Sequence, residues 1–332
     1  FYLSKLIFNL RGLFICWDGQ LDLWRQTGTK IKLLPIYNYC KEKGYNILCV
    51  SLSNQENNSE ILYKDAISHK ELSDETFYDF FPDQIINFKE QSEYLQLEYD
   101  LNTKLKLETF LTKDLIKFFS SKIEQDRIFK SLDIPTVPNK SDKVIVKYDR
   151  SGGHKFRVIN RNEAAAEDYI QDYLDIDYII SCHFYSDGNK WYHLNNHIMI
   201  YEDNCPVESV TPINISNDDK NIVEDSIRKL SKEIHIDNKL FGWQFLKDKE
   251  GNLYSIDFNL RPFGGFDKGS YDTDVSDQNW SSYLFGNVPP DYITYTDTVR
   301  CVYKKKQRFG YSDIDRIKIK LTYLKFEVKT YD

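Results

Sequence analysis

The chain has 332 residues, 41% hydrophobic and 29% charged, with a formal net charge of −7 at pH 7. That is a globular composition, long enough for about two to three domains with cores of their own; the acidic balance argues against a general nucleic-acid binder. Six scattered cysteines (Cys16, Cys40, Cys49, Cys182, Cys205, Cys301) without a C-x-x-C pair argue against a zinc site or a thioredoxin-like motif. They point to reduced, buried thiols in a cytoplasmic protein.

Residues 1–17 are apolar but interrupted by Lys5 and Arg11, too short and too charged to span a membrane, and without a signal-peptide cleavage pattern. The sequence opens on Phe1 rather than Met, so its natural start is expected upstream. Residues 13–17 read as a strand, 33–44 as a helix with a glycine end, 46–52 as the next strand and 84–88 as a third. Strand–helix–strand order predicts a small parallel α/β domain over residues 1–110. Asp18-Gly19-Gln20 follows the first strand, where α/β proteins bind ligands, although a plain turn has the same look.

Residues 94–119 read as a helical connection. In 121–138, Ile123, Ile128, Phe129 and Leu132 fall at helical spacing, Ser121 is placed to cap the helix and Pro135 to end the run. Residues 144–159 read as a strand ending in Lys147, a Ser151-Gly152-Gly153 turn and a second strand. Glycines let backbone N–H groups approach phosphate oxygens, and a lysine at a strand end adds a mobile point charge. An ordinary hairpin has the same pattern. Neither G-x-x-x-x-G-K-[ST] nor G-x-G-x-x-G occurs. Residues 179–210 continue as sheet with an Asp187-Gly188 turn, and 218–234 form an amphipathic helix with Ile222, Val223, Ile227, Leu230 and Ile234 on one face.

The most informative stretch is 240–265. Two short apolar-alternating runs flank a polar turn containing Gly251-Asn252, which is a β-hairpin signature. Side chains alternate along strands, so Gln244 on one strand and Asp257, Asn259 and Arg261 on the next share a face. Three oxygen donors suit Mg²⁺, which takes one or two carboxylates plus phosphate oxygens. A guanidinium beside them suits a developing phosphate or oxyanion charge. Taken alone, Asp-x-Asn-x-Arg also occurs as plain strand-end turn residues. Residues 264–280 are a Gly- and Asp-rich loop in which Asp267, Lys268, Tyr271 and Asp272 are candidates to read a substrate's polar groups. The tail from 300 to 332 alternates like a strand, and Lys304-Lys305-Lys306 reads as a solvated face.

In this order and separation, these pieces resemble the ATP-grasp superfamily over residues 115–290. Lys122 and its helix look like the entry to that family's lid; Lys147 and Ser151-Gly152-Gly153 look like the lid lysine and the glycine loop over ATP phosphates. Residues 170–178 resemble the adenine-holding strand, with Gln171, Asp172, Tyr173, Leu174 and Asp177 at the nucleotide. Gln244, Asp257 and Asn259 look like the magnesium triplet, and Arg261 like the catalytic arginine. The sequence departs from the family pattern in several places. The glycine of the usual Glu-x-x-x-Gly-x-Glu is missing, Gln244 stands where Glu is commoner, Asp257 stands for the usual Glu, and Lys155 replaces a further loop glycine.

The resemblance implies an α/β protein, α+β in its C-terminal half. It would have an N-terminal Rossmann-like domain (1–110), a lid subdomain (111–175) and a C-terminal antiparallel-sheet subdomain carrying the metal and catalytic site (176–332). It implies an ADP-forming carbon–nitrogen ligase that uses ATP and one or two Mg²⁺, or Mn²⁺, to join a small carboxylate to an amine through an acylphosphate. A non-catalytic or regulatory ATP-binding module and an ATP-grasp phosphotransferase are the alternatives. The implied partners are small molecules, with no nucleic acid or membrane, in a cytoplasmic protein for which the resemblance allows a homodimer.

Overall fold

The computed structural model describes residues 11–16, 39–40, 42–51, 66–68, 83–87, 92–147, 156–165, 169–261, 280–303 and 314–332. Asp18-Gly19-Gln20, Ser151-Gly152-Gly153 with Lys155, the loop residues Asp267, Lys268, Tyr271 and Asp272, and Lys304-Lys305-Lys306 lie outside the described residues. The chain divides into two compact units: Phe1–Lys89 with Tyr94–Thr109, and Glu90–Glu93 with Phe110–Asp332.

The first unit holds a four-stranded sheet of order β3-β2-β1-β4, built from β1 (Arg11–Cys16), β2 (Asn46–Ser51), β3 (Ala66–Ser68) and β4 (Gln84–Asn87). Every pairing in it is parallel, as the strand–helix–strand reading expects. Of these strands, β4 buries Ile85, Ile86 and Asn87. Helical backbone at Tyr39, Cys40 and Glu42 ends at Gly44, whose φ of 71° is the left-handed exit before β2. Helix α1 (Ser92–Leu105) buries Leu95, Leu101 and Leu105. It also buries Glu98, whose carboxylate accepts from Asn87 Nδ2 at 3.0 Å and pins the helix to the end of β4.

The helical stretch read over 94–119 is two helices, α1 and α2 (Lys113–Ser120). Lys106 at φ 55° ends the first, and Thr112 caps the second by accepting from the Leu115 N–H. Ser121 then ends α2 and starts α3 (Lys122–Ser131), its hydroxyl accepting from the Glu124 N–H at 3.2 Å. The apolar spacing of α3 is only partly its buried face. Phe129 is buried but Ile123 is 43% exposed, and the inward place one turn before Phe129 belongs to Gln125.

Two antiparallel sheets complete the second unit. The smaller has order β6-β5-β7, from β5 (Lys143–Lys147), β6 (Phe156–Asn160) and β7 (Tyr169–Asp172). The larger runs β12-β11-β8-β9-β10-β13-β14, with β15 (Lys329–Tyr331) paired to β9. Its strands are β8 (Ile176–Ser186), β9 (Trp191–Glu202), β10 (Cys205–Thr211), β11 (Lys239–Asp248), β12 (Leu253–Asn259), β13 (Tyr292–Tyr303) and β14 (Ile314–Glu327). Helix α4 (Asn217–Ser231) starts at the Ser216 cap and buries Val223, Ile227 and Leu230, while Ile222 stays half-buried.

One face of the large sheet is an aromatic core. Phe184, Phe241, Trp243, Phe245 and Phe258 are fully buried. They interlock with Phe118, Phe119 and Phe129 of α2 and α3, the Phe129 ring stacking on Trp243 at 5.3 Å between centroids. The exposed backbone of edge strand β12 is covered on its open side. Gln125 donates from Nε2 to the Phe258 carbonyl at 2.8 Å and accepts from its N–H at 3.3 Å, and the Ser255 N–H donates to the Pro135 carbonyl at 2.7 Å. An unpaired edge is a template for aggregation, and this clasp closes it.

Candidate active site

The β11–β12 hairpin turns through Asp248–Asn252. Gly251 has φ 90°, and the Asp248 carboxylate accepts from the Asn252 N–H at 2.7 Å, so the polar turn is stapled by its own first residue. In register, Gly242 faces Asn259 and Gln244 faces Asp257, but Phe245 faces Ser255, so Ile256 is an extra bulged residue. A strict period of two would put Ser255 and Asp257 on one face. The bulge separates them. Ser255 turns to the core, where its hydroxyl accepts from Trp243 Nε1 at 2.6 Å. Gln244, Asp257 and Asn259 come together on the opposite face.

There the carboxylate of Asp257 meets two groups. The Lys122 ammonium, at the first turn of α3, forms an ion pair with Oδ1, and Asn259 Nδ2 donates to Oδ2 at 2.8 Å. Gln244 Nε2 donates to Ser181 Oγ on β8 at 2.9 Å. Both amide nitrogens are thus turned onto protein acceptors, and the carbonyl oxygens of Gln244 and Asn259 are the ends those bonds do not use. Arg261 lies two residues beyond Asn259, half-buried, past the end of β12.

The donor set fits a magnesium ion on chemical grounds. One carboxylate and two amide oxygens make a hard, oxygen-only set of low charge. Among the described residues no cluster of three His, Cys, Asp or Glu exists that would cage a metal alone. Such a set suits an ion that arrives with phosphate oxygens of its own. Lys122 against Asp257 shows where positive charge is stabilised.

Lys147 closes β5, paired in register with Phe156 and Tyr169. Burial pulls its ammonium down to about 8, opposed by the negative charge of Asp126. Asp126 stands four residues after Lys122 on α3, and so on the same helix stripe. Gln171 is buried, donating from Nε2 to the Tyr169 hydroxyl at 2.8 Å. Tyr173 takes the Lys143 ammonium over its ring at 4.2 Å, Leu174 is half-buried and Asp177 is exposed on β8. Asp172 differs from the expectation that it faces a nucleotide. Its buried Oδ1 accepts from the backbone N–H groups of Lys140 and Ser141, at 2.7 Å each, and from Arg161 at 3.2 Å. It is a structural acceptor that holds the segment entering β5.

Three features escaped the sequence reading. Gln125 fixes β12 so that Lys122 and Asp257 meet. Ser181 orients the Gln244 amide. Register also places His183 and Asn195 beside the Gly242–Asn259 pair, and His197 beside Ser181, so one polar face continues across β12, β11, β8 and β9. The alternation of Ser181 with His183, and of Asn195 with His197, was the available signal.

No family model and no curated protein matches the sequence. Solved structures do match. The chain is similar to N5-carboxyaminoimidazole synthetase from Staphylococcus aureus, with TM-score 0.66 and 16% identity over 90% of this chain and 83% of that one. It is similar to L-amino acid ligase from Bacillus licheniformis (TM-score 0.64, 12% identity, 90% and 81% covered). Biotin carboxylase from Campylobacter jejuni also matches (TM-score 0.63, 14% identity, 88% and 75% covered). These are ATP-grasp enzymes. The chain has an ATP-grasp fold. The ATP-grasp likeness spans both compact units, well beyond the residues 115–290 that carry the sequence resemblance.

Proposed function

We propose that this protein is an ADP-forming carboxylate–amine ligase. The observation that carries the reading is the bulged hairpin, which gathers Gln244, Asp257 and Asn259 on one face with the Lys122 ammonium at Asp257, in a chain of ATP-grasp fold. ADP complexes of structural neighbours, including the S. aureus synthetase, support a nucleotide as ligand.

Gln244, Asp257 and Asn259 would hold one or two Mg²⁺, which would supply positive charge against the nucleotide phosphates. Lys122 and Lys147 would supply charge for the α- and β-phosphates; Ser151, Gly152 and Gly153 are assigned to the same phosphates by the sequence resemblance alone. Gln171, Tyr173, Leu174 and Asp177 line the nucleoside end, with Asp172 holding that strand in place. A substrate carboxylate oxygen attacks the γ-phosphorus, the bond to the β-phosphate bridging oxygen breaks, and ADP leaves. An amine then attacks the acylphosphate carbonyl, phosphate departs and the amine proton goes to solvent. Arg261 stabilises the charge that builds on the transferring phosphoryl group.

The domain division at 110 and 175, a small acid and amine as substrates, a cytoplasmic setting and a homodimer belong to the same proposal. No described helix is long and apolar enough to cross a membrane. The test is ATP turnover against pools of small carboxylates with hydroxylamine as trapping amine. A pool-dependent release of ADP and phosphate together with a hydroxamate is expected. ADP formation with the phosphate transferred intact to a substrate, and no hydroxamate, would move the reading to phosphotransfer.

A further inference from the structure

A cavity of about 300 Å³ opens on the second unit where β9, the start of α4, the end of β14 and β15 meet. Its floor is His193 and Asn196 of β9, 6% and 3% exposed. Register pairs these with Phe184 and Cys182, so they lie on the core face of the sheet, opposite the face that carries Gln244 and Ser181. The floor is built rather than incidental. His193 Nε2 and Asn196 Oδ1 share a hydrogen bond of 2.8 Å, and the imidazole is stacked on Phe184 and edge-on to Phe326. The other end of the Asn196 amide, Nδ2, has no hydrogen-bond partner among the described residues. That donor lines the open cavity, where an acceptor delivered by a ligand can reach it.

The walls carry charge of both signs. Lys220 and Lys329 supply two ammonium groups, Glu224 and Glu327 two carboxylates. Glu224 stands between the two lysines, 2.7 Å from Lys329 and 4.0 Å from Lys220. Both lysine side chains are about one-third or more exposed, so these pairs exchange readily for a ligand's charges. A purely anionic ligand would meet two carboxylates, and a purely cationic one two ammonium groups. A molecule carrying both signs matches the whole lining. The volume sits at the small end of ligand sites, which run from roughly 300 to 1,000 Å³.

We propose that this cavity binds a small zwitterion of α-amino-acid size, its carboxylate toward Lys220 and Lys329, its ammonium toward Glu224 and Glu327, and an acceptor atom on Asn196 Nδ2. The site is separate from the hairpin face and does not depend on the ligase reading.

The test is calorimetric titration of the full chain, without nucleotide or Mg²⁺, with each common amino acid and with its uncharged N-acetyl amide. At least one amino acid binds at one per chain, and its N-acetyl amide binds at least about tenfold weaker. Lys220→Glu and Asn196→Leu each weaken binding by at least about tenfold, while Asp257→Asn leaves it unchanged. Lys220 is exposed enough that its variant keeps the fold even if Asn196→Leu does not. Absence of binding to every amino acid overturns the proposal. So does binding that survives Lys220→Glu, or binding lost in Asp257→Asn, which would place the amino acid at the hairpin.

Discussion

The two faces of the large sheet are built from the same strands and do opposite work. On β11, Phe241, Trp243 and Phe245 point into an aromatic core with no exposure, while Gln244 between them points to the candidate site. On β8, Phe184 and Cys182 are core, and Ser181 and His183 face the polar side. The aromatic core is thus concentrated on one face and the hairpin's candidate site on the other, separated by a period of two and, on β12, by one bulged residue. Substitutions in the aromatic core should unfold the protein, and substitutions at the hairpin site should leave the fold and remove its ligand chemistry.

The largest expected effect is on the core. Trp243→Ala removes a fully buried ring that contacts Phe129, Phe245 and Phe258, and is expected to destabilise by about 3–5 kcal/mol in denaturant unfolding. On the polar side, Arg261→Ala is expected to lower turnover by about 10²–10³ while nucleotide affinity and melting temperature stay near wild type. A parallel fall in melting temperature would erase the contrast between the faces.

A pH titration sharpens the comparison. Burial holds His193, on the core face, neutral down to about 4 against an ordinary 6.5. Between those values the unfolded chain takes up a proton that the folded chain refuses, so stability falls as pH drops from 6.5 to 4, by an amount on the order of 3 kcal/mol. His193→Asn should flatten that part of the stability curve. Lys147, at the end of the lid-like β5, should act on binding instead. Its ammonium, at about 8, loses charge as pH rises, so nucleotide affinity is expected to drop up to about tenfold between pH 7 and 9. Lys147→Arg should remove that dependence in a calorimetric pH series.

Much of this division is written in local patterns. Alternation alone puts Gln244, Asp257 and Asn259 on one face, and the Ser121 cap and the parallel strands near the N-terminus are equally local signals. The features that were not legible depend on partners distant in sequence. Ile256 looks like any strand residue, and only its pairing makes it a bulge. Gln125 looks like a solvated helix position until β12 offers a bare edge 133 residues away. Asp172 has the acid that the family pattern asks for, yet backbone donors at Lys140 and Ser141 reach it first. The break between α1 and α2 contains neither Gly nor Pro, and Lys106 adopts positive φ there without the residue type that would announce it.

The most direct test is a titration of the wild type and of Asp257→Asn with ATP, each with and without Mg²⁺. The account predicts Mg²⁺-dependent binding by the wild type. The variant should keep metal-free ATP binding, because Lys122 is released, but lose the Mg²⁺ dependence. Identical Mg²⁺ dependence in both proteins, or no ATP binding by the wild type, would contradict the assignment of the hairpin face to nucleotide and metal.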